Sequence, residues 1–365
     1  MSKFLTKEKK EQLKYELQNL MYVIIAVILA FIAGGLFMLI QGYNPLEAYG
    51  MMFSSAFKNF DTVIRRATLY IFSGLAVAIP VRCGMFNMGG EGQIIVGGFV
   101  AAICGIYLKL PPVLLPIVCI LAAMICGAFF AGISATMKLK FGSSEVVTGI
   151  MMNYVILYVM QYFTMYTFRG SANSAETALI QDAAKIPRFS EYSQSSYTIF
   201  IAMGAAFLLA FIMNRTRFGL ELKSAGFNRT AASYQGVNVG AMSIASMLIG
   251  GALAGAGGAV EVCGGKYLFM DGYFANYGFD GVAVAYMAKN NPLGVIITAF
   301  FISVIKVGAV TLDRRLGLSI FYAIALQGII IALLVSPYCV ESIFEKIRLR
   351  KTLKKEKLAA AKEAN

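Results

Sequence analysis

At 365 residues, 58% of them hydrophobic and only 14% charged, with a mean hydropathy of +0.70, the chain is too apolar for an ordinary soluble domain and reads as a polytopic membrane protein. Its excess of 13 positive charges does not argue for nucleic acid, because the basic residues crowd the two ends and a few short connections, as the positive-inside rule expects. There is no histidine, the six cysteines form no CxxC pair, and neither a GxxxxGKS/T loop nor a Ser/His/Asp set occurs, so metal, haem, cofactor and catalytic roles are disfavoured and packing is the expected role of the cysteines.

Residues 1–20 are basic and mixed in charge, and Lys7–Asn19 is expected to lie as a short helix along the inner membrane face. Met21–Ile40 follows as an apolar run of about twenty residues, long enough to span. No small-residue cleavage signature stands behind it, so it reads as a retained first span. Nine further runs complete an expected set of ten: Thr68–Val81, Gln93–Tyr107, Val113–Met137, Val147–Phe168, Tyr197–Met213, Gly240–Val262, Phe279–Ala288, Leu293–Val310 and Leu318–Ser336. The expected fold is thus all-α, with a transmembrane body over 21–337 and a basic cytoplasmic tail over 338–365. An even number of crossings puts both termini on one side. The Lys/Arg bias makes that side the cytoplasm, although Arg65 and Arg66 run against it, and Lys306 lies inside a span, near enough to an end to snorkel.

The second and eighth runs are short, and each adjoins a glycine-rich break, which suggests discontinuous helices. The first break, GMFNMGGEGQ at Gly84–Gln93, carries Asn87, Glu91 and Gln93. A carboxylate at membrane depth costs roughly 2.5–3.5 kcal/mol on insertion scales and usually lines a polar cavity. The same carboxylate near a helix start is also favoured by the dipole, and the two roles are compatible. Farther on, Ser143 or Ser144 is a candidate cap for a helix with Glu145 in its first turn, and Asn153 points from that helix into the bundle, where an interhelical hydrogen bond is its simplest role.

The outer connection, 169–196, is either a partner surface or a mobile loop. The inner one, 214–239, has the pattern of short amphipathic helices hinged at Gly219, Gly226 and Gly236, with Asn228 or Thr230 capping a helix near Ala231. In Ile249–Val260, Gly251 and Gly255 form a GxxxG packing motif; a dinucleotide fingerprint needs a different spacing. The second break, Cys263–Gly281, ends in Asp280 before a short span that runs opposite to the one after Glu91. That arrangement fits an inverted repeat, though the residue match is weak.

These segments together resemble the membrane permease subunit of ABC importers for simple sugars, nucleosides and branched-chain amino acids, over about Asn44 to Ser336. The resemblance rests on FNMGGEGQ (Phe86–Gln93), SSEVVTGIMMNY (Ser143–Tyr154), AGFNRTAASYQGV (Ala225–Val237) and NYGFDGVAVA (Asn276–Ala285), and the first of these looks most like the nucleoside branch. It implies a second homologous permease, ABC ATPase subunits, an extracytoplasmic substrate-binding protein and a plasma-membrane location. ATP is then hydrolysed by a partner and not by this chain. The expected pathway residues are Phe86, Asn87, Glu91, Gln93, Asn153 and Asp280; the expected ATPase-coupling residues are Arg217, Gly219, Glu221, Gly226, Asn228, Ala231, Ala232 and Gly236. Simple-sugar import is the alternative within the family, and an ion-coupled secondary transporter is the alternative outside it.

Overall fold

The computed structural model describes residues 27–170 and 174–316, with Met21, Ile25, Ala325, Gly328, Ile329 and Ala332. The segment 1–20, most of Leu318–Ser336 and the tail 338–365 lie outside the described residues. The described chain is helical, with three isolated bridges and no strand. In order the helices are α1 (Val27–Ile40), α2 (Pro45–Lys58), α3 (Phe60–Arg82), α4 (Gly90–Tyr107), α5 (Leu114–Phe141), α6 (Glu145–Tyr162), α7 (Thr198–Arg215), α8 (Arg217–Phe227), α9 (Arg229–Tyr234), α10 (Val239–Glu261), α11 (Tyr277–Met287) and α12 (Pro292–Leu316). Single π turns extend α6 and α10, at Phe163–Thr167 and Val262–Lys266.

Seven of these helices are long and apolar enough to cross a bilayer, or eight if α1 and α2, bent by 119°, make one broken span. The chain is therefore an all-helical polytopic membrane protein. The expected count of ten is not reached among the described residues, because α11 has only 11 residues and the last run falls outside them. The second span is not short: α3 runs for 23 residues, starting before the charged pair Arg65–Arg66.

The chain divides into two units, 1–51 with 309–365, and 52–308. In the first, Pro45 occupies the opening turn of α2, where its missing N–H costs nothing, and Asn44 Oδ1 accepts the Leu46 N–H at 3.1 Å. Tyr49 ties α2 to α1 by donating to the Phe31 carbonyl at 2.7 Å.

In the second unit α10 is the hub. The glycines expected to permit close packing do so: a Cβ at Gly251 would lie 2.4 Å from the Gly127 carbonyl of α5, and one at Gly255 would lie 2.2 Å from the Ala123 carbonyl of the same helix. Of the most apolar stretch of each helix, 78% is buried in α3 but only 22% in α6 with its π turn, so α3 is central and α6 peripheral. The 174–196 connection is stitched down. Gln181 donates from its backbone to Gly105 and from its side chain to Ile106 at 2.6 Å, closing the end of α4, while Ile180 and Ile186 donate to Tyr267 and Cys263.

Candidate functional site

The two glycine-rich breaks deliver two helix starts to one point. α11 runs beside α3 and in the same direction: Tyr70 bonds Asp280, and Arg82 Nε donates to the Asn290 carbonyl at 2.7 Å. α4 leaves toward the opposite end, where Gln181 meets Gly105. The two helices therefore diverge from N-termini that touch, so closely that a Cβ at Gly278 would lie 2.2 Å from the Glu91 nitrogen. Two positive dipole ends face each other here, and Glu91 resolves the conflict. It lies in the first turn of α4, and its carboxylate accepts the Gly278 N–H at 2.6 Å and the Asn276 N–H of α11. Asn276 adopts φ +70°, a left-handed conformation that asparagine tolerates, to begin α11.

Around this joint the amides of Asn87, Gln93 and Asn153 are consumed. Asn87 and Gln93 exchange hydrogen bonds at 2.9 and 3.0 Å, and Asn87 also donates to the Ala76 carbonyl. Asn153 of α6 accepts the Gly92 N–H and donates to the Met88 carbonyl, both at 2.8 Å, so it splints the first break through the expected interhelical bond. Ser144 precedes α6 but makes no side-chain cap; Glu145 instead pairs with Lys138 across the α5–α6 turn.

A cavity of about 190 Å3 opens beside the joint. Of the expected pathway residues it brings together Glu91 and Asn153 only. Asn87 and Gln93 are buried in their mutual pair, and Phe86 packs near Tyr286, with ring centroids 5.9 Å apart. Asp280 does not line this cavity and is held in an ion pair: Lys306 Nζ lies 2.9 Å from Oδ2, which also accepts the Tyr70 hydroxyl at 2.9 Å. Lys306 is thus neutralised in place and has no need to snorkel. The walls outside the expected set come from α6 (Tyr154), from the first turn of α11 (Phe279) and from the irregular segment before α11 (Phe274 and Asp271, whose Oδ2 accepts from Gln161 Nε2 at 2.7 Å). None of the thirteen lining residues is Lys or Arg.

A second missed cluster lies at the start of α3. Glu261, 5% exposed, accepts the Tyr273 hydroxyl and has Arg65 Nε at 3.6 Å. The out-of-place arginine pair was the available signal, since a cation at membrane depth demands an anion. Among the described residues no three His, Cys, Asp or Glu side chains gather to hold a metal ion, and the five described cysteines are free.

The α7–α10 connection folds as two short capped helices, as its pattern predicts, but of the three expected hinges Gly219 and Gly226 lie inside α8 and only Gly236, at φ +82°, follows a helix end. Thr216 Oγ1 accepts the Gly219 N–H at 3.2 Å, and Asn228 Oδ1 accepts the Ala231 N–H at 3.0 Å. Of the eight residues assigned to this element, Arg217, Asn228, Ala231 and Gly236 are exposed, Glu221 and Gly226 are half-buried, and Gly219 and Ala232 face the bundle. A Cβ at Gly226 would sit 2.1 Å from the Arg82 carbonyl at the end of α3. Arg229 reaches the Gly84 carbonyl at 3.3 Å, so the element touches the same break that leads to Glu91. Burial, and then the charge of Arg82, hold the Lys223 ammonium below its ordinary pKa. Sequence reasoning missed Phe227 and Tyr234, which are 91% and 89% exposed on this element.

Comparison with known proteins adds a family. The model for branched-chain amino acid transport system permease components matches residues 59–335. The guanosine ABC transporter permease protein NupP of Bacillus subtilis is 34% identical, over 91% of this chain and 97% of that one. NupQ of the same bacterium, also a guanosine ABC transporter permease protein, is 28% identical over 66% and 77%. The glucose ABC transporter permease protein TsgB13 of Haloferax volcanii is 28% identical over 86% of each.

Proposed function

The chain belongs to the family of branched-chain amino acid transport permease components, and from that premise we propose that it is the membrane permease subunit of an ATP-driven importer of nucleosides. The observation that carries the choice of ligand is the occupied helix start at the cavity. The N-terminus of α11 is the natural seat for an amino-acid carboxylate or a phosphate, and Glu91 already fills it. With Asp271 nearby and no cation in the lining, the cavity disfavours anions and suits a neutral ligand. The aromatic faces of Phe279 and Tyr154, 40% and 57% exposed, suit a planar base better than a bare sugar. The similarity to NupP agrees.

The cavity is smaller than the roughly 300–1,000 Å3 of sites that enclose a whole small ligand. A second permease completes it, and the match to two chains of one bacterium supports such a pair. The α8–α9 element faces the cytoplasm and docks on an ATPase subunit through Phe227 and Tyr234, with Arg217, Asn228, Ala231 and Gly236 beside them. Its motion passes through Arg229 and Gly226 to the Cys83–Gly89 break, and from there to the joint at Glu91, giving alternating access by rigid-body rocking. The 174–196 connection faces outward, toward the substrate-binding protein, at the plasma membrane. Uptake of radiolabelled guanosine, uridine, glucose and leucine by cells expressing the whole transporter tests the reading. Nucleoside uptake that unlabelled nucleosides suppress and leucine does not is the expected result; uptake of leucine or glucose alone overturns it.

A further inference from the structure

We propose that Asp271 is the acceptor for the vicinal hydroxyls of a ribosyl group, with Gln161 as its positioning residue. This rests on the nucleoside reading and names the subsite that this chain contributes. The polar side chains at the cavity are few, and most are spent: both Glu91 oxygens hold α11 and both Asn153 amide atoms hold the first break. Asp271 differs. Among the described residues its carboxylate has one side-chain partner, Gln161 Nε2 on Oδ2, and no cation pairs with it. Its backbone is fixed as well, since its N–H donates to the Ala175 carbonyl of the outer connection.

A carboxylate oriented this way has an oxygen free to accept and nothing to donate, so its ligand must supply O–H or N–H groups. A cis-diol supplies two O–H donors on adjacent carbons, spaced to meet one carboxylate. A base edge could also donate, but the freely exposed rings, Phe279 and Tyr154, lie with Asn276, Asn153 and Glu91 at the α4–α11 joint. Asp271 is held beside Gln161 in the last turn of α6, two helical turns beyond Tyr154. A base stacked on those rings places its sugar toward Asp271. The exposed Asn276 amide, both donor and acceptor, can then meet purine and pyrimidine edges alike.

The test compares uptake of guanosine, uridine and their 2′- and 3′-deoxy forms in cells carrying the complete transporter, with Asp271→Asn, Asp271→Glu and Gln161→Leu. The receptor is unchanged throughout, so a change in the ribo-to-deoxy uptake ratio originates in this chain. The expected result is a ratio that falls about tenfold in Asp271→Asn, less in Gln161→Leu, equally for guanosine and uridine, and that Asp271→Glu retains in part. Membrane abundance is measured alongside, and if Asp271→Asn is not assembled the ratio is read from the other two variants. A ratio unchanged in the assembled variants overturns the proposal, as does a loss confined to guanosine, which would assign Asp271 to the base. Failure of the wild-type transporter to take up any nucleoside would instead overturn the function on which the proposal rests.

Discussion

Glu91 and Gly278 are joined by a 2.6 Å hydrogen bond from the backbone of one half-helix to the carboxylate at the start of the other. Because both helices present their positive ends, a single charge serves two dipoles, and neither N-terminus is left bare at membrane depth. A transporter hinged here can move α4 and α11 as a pair.

Glu91→Ala strips the buried Gly278 N–H of its acceptor, at about 1–3 kcal/mol, and the part-buried Asn276 N–H as well. Glu91→Gln keeps one acceptor oxygen but loses the charge. Thermal unfolding of the purified transporter should rank wild type above Gln above Ala, with ATP-driven uptake falling at least about tenfold in both. Wild-type uptake in Glu91→Ala would deny the joint any role.

Asp280 and Lys306 form a largely buried ion pair in the membrane body, with Tyr70 donating to the same oxygen. Neutralising one partner strands the other, at about 3–5 kcal/mol, whereas removing both is close to neutral. A double-mutant cycle with Asp280→Asn and Lys306→Met, read by thermal stability, should show each single change more damaging than the pair. Additive losses would mean that the pair is not coupled.

Phe227 and Tyr234 are exposed and touch little of their own chain, so alanine at either should move stability by no more than about 0.5 kcal/mol. The same changes should reduce the ATPase that co-purifies and slow uptake by about tenfold. Intact co-purification would place the ATPase contact elsewhere.

Gly226→Leu drives a side chain into the Arg82 carbonyl and should separate α8 from the end of α3, uncoupling ATP hydrolysis from uptake while the ATPase still binds. Measuring hydrolysis and uptake in the same vesicles checks this, and parallel loss of both would indicate a folding defect instead.

The membrane body was legible because apolar runs of spanning length are a one-dimensional signal, and the α8–α9 element because its caps lie within a few residues of the N–H groups they accept, whereas Gly219 and Gly226, read as hinges, sit inside α8 where close packing requires them. Asn153 was legible as an interhelical splint from its place on α6. The first turns of α3 were not, since Asp61, Arg65 and Arg66 make Phe60–Ala67 look like a loop until Glu261, distant in sequence, is brought beside Arg65. Glu261 itself was hidden at the end of a Gly/Ala run whose spacing spoke only of packing. Asp280 and Lys306 were visible as buried charges, but that they meet is a fact of α11 packing against α12. The cavity walls Phe274 and Asp271 lie in irregular backbone, where no periodicity tells which side chains face a common space.

The most direct measurement is reconstitution of this chain into proteoliposomes, by itself and then with the second permease, the ATPase and the substrate-binding protein. The account predicts no guanosine or uridine flux from the chain alone, under any ion gradient, and ATP-dependent accumulation from the complete set. Flux through the isolated chain, driven by a gradient and indifferent to ATP, would contradict it.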